Sequence, residues 1–315
     1  MSQAFFPSFK SKKGRTYLFS YDNFLGQGVY CQAFKVYDLS SIPPDQNLRL
    51  ADVDYLLDPL VMKLSKSFLP DEKKRRIRHE VKMLKKLKHH SNFVSYVDHS
   101  LELPTPYLVT EFVPLTLDSM LHQGQLTNQV VWDYLTQISL VLEEFERRGI
   151  AHGDLKSSNI GYHPDSRKIK VFDLGLGLFY DHKCLSRLKR ARNGIYYPPE
   201  FKIGLISPSS DVYMAGRTLE YLLTGCYAEG YDHINETIDN IETVHKITLP
   251  PSFRKVLNGM LDLNYEERLL PQELREMVSL AWEEMENKDY FKPIQFTEIR
   301  IPTGLSDIFS LTKSH

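Results

Sequence analysis

The chain has 315 residues, 42% of them hydrophobic and 25% charged, with 39 basic against 40 acidic side chains. That is the composition of a globular protein able to bury a large core in one or two domains. It excludes a membrane span, since no apolar run is long enough, and its near-zero net charge gives no indication of nucleic-acid binding.

The N-terminal extension, residues 1–16, lacks the charged-then-apolar order of a signal peptide, and its aromatic residues are expected to pack on the domain or meet a partner. Three scattered cysteines, Cys31, Cys184 and Cys226, are too few for a disulfide framework or a zinc site. The expected setting is therefore reducing, intracellular and cytoplasmic.

Residues 17–40 are aromatic and β-branched around a glycine pair and predict a hairpin of strands. Residues 41–59, broken by Pro43, Pro44 and Pro59, read as an insertion before the short strand PLVMKLS. Ile77, Val81, Leu84 and Leu87 recur at helical spacing behind Asp71 and Glu72, which predicts a helix over 71–88. Ten basic residues crowd Lys66–Lys88, a run that reads as a solvated helix face. Strands are expected at 93–98 and 106–113. A long amphipathic helix follows at 128–148, with Thr127 as its cap and Gly149 as its stop. KIKVFDLG reads as a strand ending in a turn, and helices are expected at 211–223, 235–246, 252–261 and 271–286. Strands thus fill the first third and helices the rest. From Asp289 the chain looks like an extended arm that lies on something.

Phosphoryl transfer needs a cradle for phosphates, oxygen ligands for a metal and a group that orients the attacking hydroxyl. In LGQGVYC, Leu25 precedes Gly26 and Gly28, whose backbone amides can approach phosphates without an intervening Cβ; a plain β-turn explains the same glycines equally well. Lys63 can neutralise phosphate charge, and Glu80, seventeen residues later, can hold it as an ion pair. In AHGDLKSSN, Asp154 can accept a hydrogen bond from an acceptor hydroxyl and Lys156 can offset charge on the transferring group. Asn159 and Asp173 offer the hard oxygens that Mg2+ or Mn2+ prefers. Either aspartate alone reads as a turn or cap residue. The pair, nineteen residues apart across an apolar strand, is far more specific.

At this point the sequence resembles the eukaryotic-type protein kinase superfamily, Ser/Thr type. Eight landmarks stand in order: the glycine loop, Lys63, Glu80, HxDxKxxN, DLG for the usual DFG, PPE at 198–200, DVYMAG through Asp211 and Gly216, and Arg268, suited to pair with Glu200. The resemblance implies a bilobal α+β fold, with a small β-rich lobe at 17–113, a helical lobe at 114–288 and an arm at 289–315. It implies ATP between the lobes, with Thr110 as gatekeeper, backbone contacts from Glu111 and Val113, Ala33 and Val61 above the adenine, and Ile160 with Gly161 below it. The HGD-x-K pattern is also similar to vaccinia-related kinases and PLTLDSML to a casein kinase 1 helix, which does not place a subfamily.

The departures carry their own expectations. Gly153 replaces the arginine that usually receives a phosphorylated activation loop, and that loop has no threonine and one serine, Ser186. Activity is expected not to require loop phosphorylation. Asn193 stands where a threonine usually ties Lys156 to the loop. Lys183, Arg187, Lys189, Arg190 and Arg192 border the substrate groove in this fold; they read as a solvated loop or as a preference for acidic or pre-phosphorylated protein substrates. Two alternatives stay open: a pseudokinase scaffold, and a small-molecule kinase of the aminoglycoside or choline type, which often carries HGD.

Overall fold

The computed structural model describes residues 8–11, 13–28, 31–42, 53, 55–66, 70–102, 106–180, 186–188, 192, 194–228, 233–245 and 248–287. The arm from Asp289, most of the 41–59 insertion, Lys183, Cys184, Lys189, Arg190 and Asn193 lie outside them. Among the described residues no helix is long and apolar enough to cross a membrane. The chain divides into two units, one of residues up to Val113 with Asp173–Gly175, the other of Pro114–Phe172 with residues from Leu176 onward.

In the first unit the aromatic and β-branched runs build a six-stranded antiparallel sheet. Its strands are β1 (Ser8–Lys10), β2 (Thr16–Gln27), β3 (Cys31–Asp38), β4 (Leu60–Ser65), β5 (Tyr96–Ser100) and β6 (Tyr107–Glu111), in the order β1-β2-β3-β4-β6-β5. Period-2 alternation sends side chains to opposite faces. Tyr17, Phe34, Val36, Met62, Tyr107 and Val109 pack on one face. Leu18 and Tyr37 pack on the other with Val53, which anchors the described part of the insertion there. Part of the N-terminal extension is itself a strand, β1, paired with β2.

Helix α1 (Pro70–Leu87) places Asp71 and Glu72 in its first turn and Lys85 and Lys86 in its last, both favourable to the helix dipole. Its apolar stripe, Ile77, Val81, Leu84 and Leu87, is buried against β4, β5 and β6. Glu80 lies on that same buried face, 4% exposed, so the helix carries a carboxylate into the unit's interior.

The second unit is mainly helical: α2 (Leu117–His122), α3 (Asn128–Arg148), α4 (Ser210–Thr224), α5 (His233–His245), α6 (Pro251–Leu261) and α7 (Pro271–Asn287). Thr127 caps α3 by accepting from the Val130 amide, and Gly149 ends it in the left-handed conformation. Trp132 on α3 meets Trp282 on α7 and Phe253 on α6 edge-on, at centroid distances of 5.0 and 5.7 Å. Helix α4 is buried along its whole length. Its polar groups therefore pair inside the protein: Arg217 with Glu220 at 2.7 Å, and the Thr218 hydroxyl with the Met214 carbonyl.

Short strands complete this unit. β7 (Leu115–Thr116), β9 (Ile160–His163) and β10 (Lys168–Val171) form a small sheet, β8 (Ile150–Ala151) pairs with β11 (Leu178–Phe179), and β12 (Ser186–Arg187) pairs with β13 (Leu205–Ile206). The AHGDLKSSN segment runs from β8 to the start of β9, so it is anchored at both ends.

Candidate active site

The first unit gathers three predicted charges. Lys63, central in β4, reaches Glu80 Oε1 at 2.8 Å and Asp173 Oδ1 at 3.1 Å through its Nζ. Burial works against the ammonium, but Asp173 and Glu80 outweigh it and hold its pKa above the ordinary lysine value. Asp173 adopts φ +65°, one of two non-glycine residues with positive φ among the described residues. That turn delivers its carboxylate to Lys63 while leaving the side chain 48% exposed, a state suited to a metal ligand. Cys31 sits nearby on β3, its thiol pushed up to about 12 by burial and by Glu80.

Gly26 and Gly28 stand near the tip of the β2–β3 hairpin. Among the described residues nothing lies within 4 Å of where a Cβ would stand on either, which leaves the backbone approachable. Gly28 N donates to Cys31 O at 2.9 Å. Leu25 is 45% exposed; Ala33 pairs with Lys63 across β3–β4, and Val61 with Thr110 across β4–β6. Ala33, Val61, Glu111 and Val113 are half-buried, while Thr110 is buried. In the second unit Ile160 is buried in β9, opposite Val171.

The second unit gathers the rest. Asp154 is buried, and Lys156 Nζ lies 3.2 Å from its Oδ2. Asn159 Nδ2 donates to the Asp154 carbonyl at 2.8 Å and to its carboxylate at 3.2 Å. The amide nitrogen is thus committed to Asp154, which leaves the Asn159 carbonyl oxygen as the donor for a hard cation. Each unit thus offers an oxygen of the kind a hard cation takes, Asp173 in the first and Asn159 in the second. His152 fixes the turn through its side chain, with Nε2 3.0 Å from the Phe172 carbonyl and Nδ1 accepting from the Asp154 amide at 3.3 Å. Asp211, at the start of α4, accepts from the His152 amide at 2.7 Å and the Gly153 amide at 2.9 Å.

Sequence reasoning did not single out two neighbours of Asp154. The Tyr197 hydroxyl donates to Asp154 Oδ1 at 2.8 Å and the Tyr196 hydroxyl at 3.3 Å. Burial and the carboxylate raise the pKa of both phenols, Tyr196 to about 12, so both remain protonated donors at neutral pH. Lys156 also lies over the Tyr196 ring, 5.4 Å from its centroid. The only signal in sequence was the YY pair three and four residues ahead of Glu200 in YYPPE.

Glu200 and Arg268 form a bidentate pair at 2.7 and 3.1 Å, both side chains essentially without solvent exposure. Arg192, counted with the basic cluster beside the substrate groove, turns inward onto the Gly153 and Leu176 carbonyls.

The protein kinase domain family model matches residues 59–280. Serine/threonine-protein kinase stk11 of Xenopus laevis is 28% identical over 214 residues, 64% of this chain and 49% of that protein. Its counterpart in Gallus gallus is 27% identical over 214 residues, 64% of this chain and 48% of that protein. Cysteine-rich receptor-like protein kinase 14 of Arabidopsis thaliana is 31% identical over 180 residues, 54% of this chain and 27% of that protein. The chain spans about half the length of these relatives or less.

Proposed function

This chain belongs to the protein kinase family, and from that premise we propose that it transfers the γ-phosphoryl group of ATP to serine and threonine hydroxyls of protein substrates. The observation that carries the proposal is the ion triangle of Lys63 with Glu80 and Asp173, which keeps a charged ammonium beside a half-exposed carboxylate. Asp154 accepts the hydrogen bond of the incoming hydroxyl and takes its proton as the new O–P bond forms and the bond from the γ-phosphorus to the bridging oxygen breaks, releasing ADP. Lys156 offsets charge on the moving phosphoryl group. Asn159 and Asp173 would hold Mg2+ or Mn2+, which supplies charge neutralisation on the phosphates when bound. Leu25, Gly26, Gly28, Ala33, Val61, Thr110, Glu111, Val113 and Ile160 are the proposed nucleotide contacts, on residues 17–113 and 114–288 as the two kinase lobes.

The complete set of charges supports an active enzyme over a scaffold. The buried Glu200–Arg268 pair supports a protein substrate over a small molecule, despite Gly153. Regulation without activation-loop phosphorylation is part of the same reading. So is an intracellular setting, in keeping with the free thiols of Cys31 and Cys226.

The test is incubation with Mg-ATP and a generic protein substrate beside an Asp173→Ala control. Phosphoprotein that disappears in the control is the expected outcome. ATP binding without turnover would select the scaffold, and phosphorylation of small alcohols or sugars alone would select the small-molecule enzyme.

A further inference from the structure

Gly153 separates His152 from Asp154 and carries φ +71°, a conformation costly for any residue with a Cβ. A Cβ built there would stand 3.1 Å from Arg192 Nη1 and 3.5 Å from the Leu176 carbonyl oxygen. The guanidinium fills that space. Arg192 Nη1 donates to the Gly153 carbonyl, and Nη2 donates to the Leu176 carbonyl at 3.2 Å. Arg192 is itself held in place: its amide donates to the Phe201 carbonyl at 3.0 Å, and its guanidinium carbon lies 5.7 Å from the Phe201 ring centroid. Phe201 is fully buried, so this support is a rigid one. The turn that leads into Asp154 is therefore gripped twice. Asp211 takes the His152 and Gly153 amides, and Arg192 takes the Gly153 carbonyl.

We propose that Arg192 is a positioning residue that braces the Asp154 turn against the segment after DLG, and that glycine occupies position 153 to admit its guanidinium. The inference rests on the assignment of Asp154 as the catalytic carboxylate. It gives the expected independence from loop phosphorylation a physical cause, because Arg192 grips backbone carbonyls and needs no added phosphate to do so. The forked guanidinium suits the task, since its two terminal nitrogens serve two carbonyls at once; the single ammonium of a lysine is a point charge without that fork. Charge-assisted donation makes both contacts stronger than neutral ones.

The full chain carrying Arg192→Ala, Arg192→Lys or Gly153→Ala, each checked for folding by thermal melting, tests this. The readouts are kcat on a generic protein at saturating Mg-ATP, KM for ATP, and hydrogen exchange at the His152 and Gly153 amides. Arg192→Ala is expected to lower kcat about tenfold or more, leave KM for ATP within about twofold, and speed exchange at both amides. Arg192→Lys should fall between it and wild type, and it carries the comparison if the alanine variant does not fold. Gly153→Ala, which also strains the backbone at φ +71°, should lose at least as much as Arg192→Ala, and the double variant should lose less than the product of the single losses, because both remove one contact. Unchanged exchange in Arg192→Ala, or losses that simply multiply, would overturn the brace. If the wild type phosphorylates no protein, the kinase assignment fails, and the exchange data alone then decide whether Arg192 holds the turn.

Discussion

Asp154 is the residue on which the chemistry turns, and its carboxylate is already crowded. Asn159, Lys156, Tyr196 and Tyr197 all approach it. The first two are expected partners of a phosphoryl-transfer base. The tyrosines are different, because a phenol hydroxyl donating to Oδ1 makes the contact that an acceptor hydroxyl has to make. Tyr197 is the stronger competitor, at 2.8 Å and with its ring packed on Tyr196 and Phe201. Tyr197→Phe keeps those ring contacts and removes the competing donor. It is expected to raise kcat/KM for the protein substrate about three- to tenfold, the scale of one hydrogen bond, with KM for ATP unchanged. Steady-state kinetics decide the sign, since a fall would mean that the hydroxyl supports the carboxylate rather than competing for it.

At the scale of elements, what the sequence displays depends on length and on caps. Helix α3 is legible because twenty-one residues repeat an apolar stripe between Thr127 and Gly149. Strand β4 is legible because Pro59 precedes a short apolar run. Strands β1, β7 and β9 and helix α2 span two to six residues each, too few to establish a period, and they exist through partners elsewhere in the chain. The same limit applies to the site. Asp154, Lys156, Asn159 and Asp173 follow from local spacing, whereas Tyr197 and Arg192 reach their targets from 43 and 39 residues away. Nothing local marks such contacts. Gly216 lies between these cases: the motif identifies it, and packing explains it. A Cβ at Gly216 would stand 2.9 Å from Met260 Cβ and from a Leu261 methyl, so α4 and α6 approach each other through the missing side chain. Gly216→Ala should therefore destabilise the protein by about 1–3 kcal/mol despite its better helix propensity, as measured by urea unfolding.

Across the molecule, each unit buries a carboxylate that its surroundings must satisfy. In the second unit, Glu200 and Arg268 are both sealed from solvent, and Ser210 adds a hydrogen bond to Glu200 at 2.6 Å. Removing one partner leaves a buried charge alone, so Arg268→Met is expected to cost about 3–5 kcal/mol, while Glu200→Gln with Arg268→Met recovers part of that. In the first unit Asp98 is 1% exposed and accepts from Lys13 at 2.8 Å and from the Tyr17 and Tyr107 hydroxyls at 3.3 Å each. Lys13 follows β1, so this pair fastens the N-terminal hairpin to the sheet. Burial works to raise the Asp98 pKa, but Lys13, the His99 amide and Tyr107 overcome it and hold the carboxyl below its ordinary range. A folded pKa below the unfolded one stabilises the protein above the ordinary aspartate value, and this contribution disappears as pH falls through the folded value. Lys13→Met removes the charged partner. It should cost about 1–2 kcal/mol at pH 7, a modest figure because solvent screens the half-exposed ammonium. Urea titrations of both proteins from pH 7 downward should show that gap closing below about pH 4, as the carboxyl protonates in both. A gap that stays constant with pH would mean that Lys13 acts through its methylene packing, not through Asp98.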